Sequence, residues 1–230
     1  MGAGSEDTLA GECVKAGAIL KNFVDREKAG KGTDAGGLDT DALRSALGVV
    51  LIRESKASLG LSTASGRGLI LVRRGPDGKA SNAPGAAWSA PAAIGSSTMG
   101  SGAQVGYASS DILIVIHTYA GVELLTSEAG PAAPASRLGN KVPPFSSYSI
   151  STSGLFVGLA IDASVLHSRD DANKAFYGRA VAPKDVLSGA VDVPVAAKKA
   201  VAELHAALKS IDTLRSSASR PQTLTSAHAL

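Results

Sequence analysis

The sequence predicts an α+β domain: an antiparallel sheet, with room to curl towards a barrel, flanked by N- and C-terminal helices. Three observations predict it. Leu9, Cys13, Ala16, Leu20 and Phe23 recur at steps of four and three, the repeat that stacks side chains on one stripe of a helix. Near the other end, Val195, Val201, Leu204, Leu208 and Ile211 fall roughly on one helical face in the same way. Between them, Gly68 to Arg73 (GLILVR) and Ile112 to Ile116 are apolar, β-branched-rich runs bounded by Gly, Ser or charged residues, the pattern of buried strands.

Taken in order, the first stripe predicts a helix over 8–25, with Lys15, Lys21, Asn22 and Arg26 off the apolar face. Ala29 to Gly37 (AGKGTDAGG) reads as a flexible linker, and Asp39-Thr40-Asp41 supplies capping residues for a short helix through Ala46. Val49 to Ile52, Ala57 to Leu61 and the Gly68 run then read as consecutive antiparallel strands. Pro76-Asp77-Gly78 is turn chemistry that returns the last of these towards Trp88 as a hairpin. From Trp88, the only tryptophan, to Ile116 the pattern is strand, glycine-rich crossing, strand, with Gly95, Gly100, Gly102 and Gly106 as packing and bulge positions.

Gly130 to Pro144 predicts a loop, after which Leu155 to Leu159 and Ile161 to Leu166 resume the sheet. Asp170-Asp171 can cap a short helix carrying Phe176 and Tyr177 and closed by Gly178; Pro183 and Gly189 bracket another. The expected organisation is one domain over 1–214, with a helix at 8–25, a sheet-rich core with short helices at 47–189, a helix at 195–214 and a disordered tail at 215–230.

A chain of 230 residues can build one substantial core. It is 44% apolar but only 4% aromatic, so that core packs small side chains. A net charge of +3 suits an anionic surface without identifying one. The single cysteine, Cys13, excludes an internal disulfide and, with four scattered histidines, argues against zinc; a reducing, intracellular compartment fits. The first residues lack the pattern of a secretory signal, and Glu6 stands where a myristoylation motif wants Ser or Thr. Apolar runs fall short of the ~20 residues that span a bilayer.

No catalytic constellation is legible. There is no G-x-S-x-G, Gly100-Ser101-Gly102 has the wrong spacing for a dinucleotide loop, and Asp170, Asp171 and Asn173 lack the spacing of a calcium loop. His117 and Cys13 read as core groups. The expectation is therefore no enzyme activity, no metal and no cofactor. What remains is cationic: Lys15, Lys21, Arg26 and Lys28 beside the apolar stripe of Leu20 and Phe23, and a second cluster of Arg67, Arg73, Arg74 and Lys79 around the hairpin. A third group, Lys174, Arg179 and Lys184, surrounds the short helices. Cations beside an apolar helix face suit lipid phosphates above and shallow insertion below, with Leu9, Ile19, Leu20 and Phe23 inserting.

Several short motifs in order carry a resemblance. They are Glu12-Cys13-Val14-Lys15-Ala16 through Phe23, Gly66-Arg67-Gly68, Trp88-Ser89-Ala90-Pro91-Ala92-Ala93-Ile94-Gly95, Met99-Gly100 with Gln104-Val105-Gly106, and Asp111 to Val115. Phe145 to Ser149, Ser153 to Gly158, Asp171 to Gly178 and Lys184 to Gly189 continue the series. Together they resemble the SYLF domain family over most of the chain. After Ser127 the family pattern has another glycine-rich, strand-like segment, and here EAGPAAPASRLGNKVPP stands in its place, so a strand or hairpin is expected to be missing; Leu47 to Arg53 also matches its family strand only loosely. The resemblance implies a non-enzymatic module that binds phosphoinositide-containing membranes, with its N-terminal part at the membrane, in membrane remodelling, endocytic trafficking and actin organisation. It implies a cytoplasmic protein, peripheral on endosomal or plasma membrane, with no nucleic-acid partner. Two rivals stand beside it: an actin-filament module whose lipid binding is incidental, and a small-molecule carrier with an interior cavity.

Overall fold

The structure, a computed structural model, describes residues 8–34, 37–83, 86–126 and 145–214, with side chains throughout except at 101–104, 126, 154–164 and 213. In chain order the elements are α1 (Leu9–Lys28), α2 (Thr40–Arg44), β1 (Gly48–Arg74), β2 (Ala87–Trp88), β3 (Ala92–Ile116), α3 (Tyr119–Thr126), β4 (Phe145–Ser168), α4 (Asp170–Tyr177), α5 (Pro183–Ser188) and α6 (Lys198–Lys209). The expected loop at 130–144, the missing family segment and the tail at 215–230 lie outside the described residues.

The sheet is antiparallel in the order β2-β1-β3-β4, so the expected class holds; β2 and β4 are its two edges, and it does not close into a barrel. The strand division is corrected. The three strands expected between Val49 and Arg73 are one strand of 27 residues, Trp88 to Ile116 holds no crossing but the 25-residue β3, and the last two segments are one strand of 24. Gly60, at φ +75°, lets β1 turn over without leaving the ladder, which runs from Gly48↔Ile116 to Ile70↔Ala92 with one shift between Leu59 and Leu61.

Each long strand thereby doubles back, and six strand legs lie side by side in the body. The legs of β1 approach very closely: the Arg73 amide donates to the Leu47 carbonyl at 2.8 Å. A Cβ at Gly66 would stand 2.6 Å from Ile52 Cγ2, and one at Gly68 would strike the Leu51 carbonyl and lie 2.8 Å from Ile52 Cα. The Gly66-Arg67-Gly68 motif exists because one leg passes against the other there.

Both sheet faces are covered in the body, which explains the unbroken apolar runs. Val49, Leu51, Leu69, Leu71, Leu113 and Val115 pack with the stripes of α1 and α6. Val50, Ile52, Ile70, Val72, Ile94 and Ile116 pack on the other side with Val186, Leu187 and Val191, and with Val122 and Leu125 of α3. Helix α1 starts as expected, its N-cap Thr8 hydroxyl accepting from the Gly11 amide at 3.2 Å, and runs three residues further, to Lys28.

Four local expectations change. The linker after α1 is tied to β4: the Asp34 amide donates to the Ser149 carbonyl at 3.0 Å and Asp34 Oδ2 accepts from the Ser151 amide at 2.8 Å. Asp170 and Asp171 stand in the first turn of α4 behind Arg169 and do not cap it, which still suits the helix dipole. Val195 is exposed in a 3₁₀ turn, and the last helix begins at Lys198. Helix α3, eight residues long, is too short for periodicity to reveal.

Candidate anion-binding site

Helix α1 lies across both legs of β1, and where the legs begin to part a hollow of about 330 Å³ opens between helix and sheet. Its position follows from two periodicities. Arg53 and Arg67 sit at odd positions of β1, one on each leg, so the pleat turns both towards α1. Glu12 and Lys15, three residues apart on α1, point down at them, and Ser55 and Ser65 complete the wall.

The charges are held in a built network. Arg53 makes a two-pronged bond to Asp111, its partner across the ladder, with Nε to Oδ1 at 2.8 Å and Nη2 to Oδ2 at 3.1 Å. Glu12 is buried; its Oε1 accepts from Arg169 Nη1, while Oε2 has no hydrogen-bond partner among the described residues. Burial pushes the Glu12 carboxyl above its ordinary value, against the hydrogen bond and charge of Arg169 and the charges of Arg67 and Lys15. Four cations, Lys15, Arg53, Arg67 and Arg169, thus face two carboxylates, Glu12 and Asp111. An excess of positive charge in a partly enclosed hollow, with two serines on its wall, suits an anion with several oxygens, such as a phosphorylated headgroup.

The residues expected from sequence are distributed differently. Leu20 and Phe23 are fully buried beneath α1 in the core. Lys15 reaches the hollow; Lys21 is exposed and paired with Asp25, Arg26 Nε donates to the Gly32 carbonyl at 3.0 Å, and Lys28 is exposed at the helix end. Of the second cluster only Arg67 is at the hollow. Arg73 is nearly buried, donating to the Arg44 carbonyl at 2.8 Å and to Asp212 at 3.2 Å, with its guanidinium 4.8 Å over the Trp88 ring. Arg74 donates to the Ser188 carbonyl, and Lys79 is exposed on the hairpin turn. Glu12, Arg53, Asp111 and Arg169 were not anticipated. Arg53 and Asp111 each interrupt the edge of an apolar run, which was a usable signal; Arg169 and Glu12 are 157 residues apart, and nothing local joins them.

The other groups singled out have structural partners. His117 Nε2 lies 2.8 Å from Ser146 Oγ, and burial lowers its pKa. Cys13 is buried, its thiol pushed up to about 12. Asn173, fully buried, clasps the start of β3: Oδ1 accepts from the Ala93 amide at 2.7 Å and Nδ2 donates to the Ala93 carbonyl at 3.3 Å. A second, more open hollow of about 970 Å³ lies beside Trp88, between α2, the hairpin and α6, with Arg44, His205 and Lys209 on its wall. Among the described residues no group of three His, Cys, Asp or Glu side chains is placed to hold a metal, and no helix is long and apolar enough to cross a membrane.

An open antiparallel sheet clasped by helices, with fixed charges around a surface hollow, has the makings of an interaction module. A family model described as Ysc84, Las17-binding protein actin regulator, matches residues 97–211, half of the chain, and the chain belongs to this family, as the SYLF resemblance implies. It is 35% identical over 208 residues to an SH3 domain-containing protein of Schizosaccharomyces pombe, covering 83% of this chain and 45% of that one. It is 31% identical to LAS seventeen-binding protein 3 of Saccharomyces cerevisiae, over 82% of this chain and 42% of the relative. With SH3 domain-containing YSC84-like protein 1 of Homo sapiens the identity is 30%, over 83% of this chain and 56% of the relative. The chain thus spans roughly half the length of these relatives. No solved structure matches it.

Proposed function

We propose that this domain attaches an actin-regulatory protein to phosphoinositide-containing membranes, in endocytic trafficking and membrane remodelling, from the cytoplasmic side of the endosomal or plasma membrane. The observation that carries the reading is the convergence of Lys15, Arg53 and Arg67 on one hollow with an excess of positive charge. Such a cluster attracts the multiply charged headgroup of a phosphoinositide more than a dispersed anionic surface does. Arg53, forked onto Asp111, and Lys15 and Arg67 beside Glu12 together supply the positive charge that faces the headgroup. Lys21, Arg26 and Lys28, further along α1, add attraction to the bilayer. Leu20 and Phe23 hold α1 to the core in this conformation, so insertion by them requires the helix to leave the sheet.

Co-sedimentation with vesicles tests this. Against neutral phosphatidylcholine vesicles, those with a phosphoinositide bind at physiological salt, and Lys15→Glu with Arg67→Glu lowers that binding at least tenfold while the domain stays folded by circular dichroism. Binding that is indifferent to headgroup and vanishes with added salt means diffuse charge attraction and defeats the reading. A second reading, direct binding to actin filaments, is favoured by the family's description as actin regulators; co-sedimentation with filaments at physiological salt separates the two.

A further inference from the structure

The face of β1 that carries Arg53 and Arg67 continues beyond α1. Between its two legs β1 turns over at residues 54–65, and β3 wraps it at 98–110, so that the pair forms an arch projecting from the body. On the face shared with the two arginines the arch presents Leu59, 84% exposed, Leu61 and Met99, each 73% exposed, and Val105 and Tyr107, both more than half exposed. The register makes them neighbours: Leu59 lies opposite Val105, Ala57 opposite Tyr107 and Thr63 opposite Met99. The opposite face of the same strands buries Ser58, Ser62 and Thr98. The arch is therefore inverted, with hydroxyls inside and large apolar groups outside, the reverse of the burial order that water imposes.

Among the described residues the charge around this face is in positive excess. Its other described members, Ser55, Thr63, Ser65, Ser97 and Ser109, are neutral, and the two carboxylates at its base, Asp111 under the Arg53 fork and Glu12 against Arg169, are both buried. Arg53 and Arg67 stand at that base, one on each leg of β1, with Lys15 of α1 beside them. An apolar tip with cations set behind it, and no exposed carboxylate between them on this face among the described residues, fits a surface that is apolar below and anionic above. We propose that the arch docks on a lipid surface, Leu59, Leu61, Met99, Val105 and Tyr107 entering the interfacial layer while the hollow at its base holds a headgroup. The inference rests on the headgroup reading and adds to it the element that enters the bilayer, which is the sheet and not α1. Docking is side-chain deep, since the ladder keeps the strand backbones paired with one another.

The test separates the arch from the hollow. Binding of soluble inositol trisphosphate, followed by calorimetry, reports the hollow alone; binding to phosphatidylcholine vesicles with phosphatidylserine and a phosphoinositide reports both. A polarity-sensitive dye on Met99→Cys reports the arch, Cys13 being buried and protected from the label. The expected result is a blue shift of the dye on these vesicles. Leu59→Ser with Leu61→Ser should weaken vesicle binding at least tenfold, leave inositol trisphosphate binding unchanged and keep the melting temperature. Unaltered vesicle binding by that variant, with the dye still in water, overturns the arch and leaves the hollow standing. A dye shift on vesicles without inositol trisphosphate binding supports the arch and removes the hollow. No binding to any vesicle, or a dye that responds only to protein concentration or to actin filaments, overturns the proposal and assigns the face to a protein partner.

Discussion

Glu12 shows how one residue carries both a cost and a control. Its carboxylate is buried with one oxygen on Arg169 and the other without a hydrogen bond among the described residues, and burial raises its pKa. A carboxyl whose folded pKa lies above its unfolded value binds its proton more readily in the folded state. Its unfavourable contribution is therefore full above the folded pKa and is relieved as pH falls towards the ordinary value near 4.5. Denaturant melts of the parent and of Glu12→Gln should converge or cross in the parent's favour as pH falls through that window, and a difference independent of pH would exclude titration of Glu12. Protonation also removes one of the two carboxylates facing the four cations. Anion binding by the parent should accordingly tighten as pH falls, and in Glu12→Gln this component of the pH dependence should be missing.

Among the elements, β1 marks where sequence reasoning succeeded and where it broke. Its apolar ends, its hairpin to Trp88 and its glycine motif were all legible, because β-branched runs and Pro-Asp-Gly turns carry their own local physics. Its continuity was not. Strands are usually about 5–6 residues long, and the Ser- and Gly-rich middle reads as a break. The structure uses it as a bend that three strands follow together. The stripe of α1 was correctly placed, yet the same stripe looks alike whether it meets a core or a bilayer; only tertiary structure shows Phe23 and Leu20 beneath the helix. The two kinds of glycine in β1 give a direct check. Gly60 has a left-handed φ and open space around it, so Gly60→Ala costs about 1 kcal/mol of backbone strain. Gly68 is packed on Leu51 and Ile52, so Gly68→Ala must move one leg of the strand and should be several times more destabilising in the same melt. Equal losses at the two positions would mean that the legs do not meet as described.

For the whole molecule, the class of fold and the family were readable before the structure, since both depend on patterns spread along the chain. The site was half readable. Lys15 and Arg67 were each noticed but assigned to different clusters, because 52 positions separate them and only the doubling back of β1 under α1 brings them to one hollow. Arg53 looked like the end of the Leu47 to Arg53 run, and Arg169 was not singled out; their pairing with Asp111 and Glu12 is a product of the folded sheet. The resulting arrangement puts the cationic hollow and the apolar arch on one side of the molecule, along the same face of β1. The central claim is that a phosphorylated headgroup is held there. An amide NMR titration with a short-chain, water-soluble phosphoinositide tests it most directly. The account predicts saturable shifts confined to the neighbourhood of Glu12 to Ile19, Arg53 to Ser55 and Ser65 to Gly68, lost in Lys15→Glu with Arg67→Glu. Shifts centred instead on the hairpin around Arg74 and Lys79, or no saturable shift at all, would contradict it.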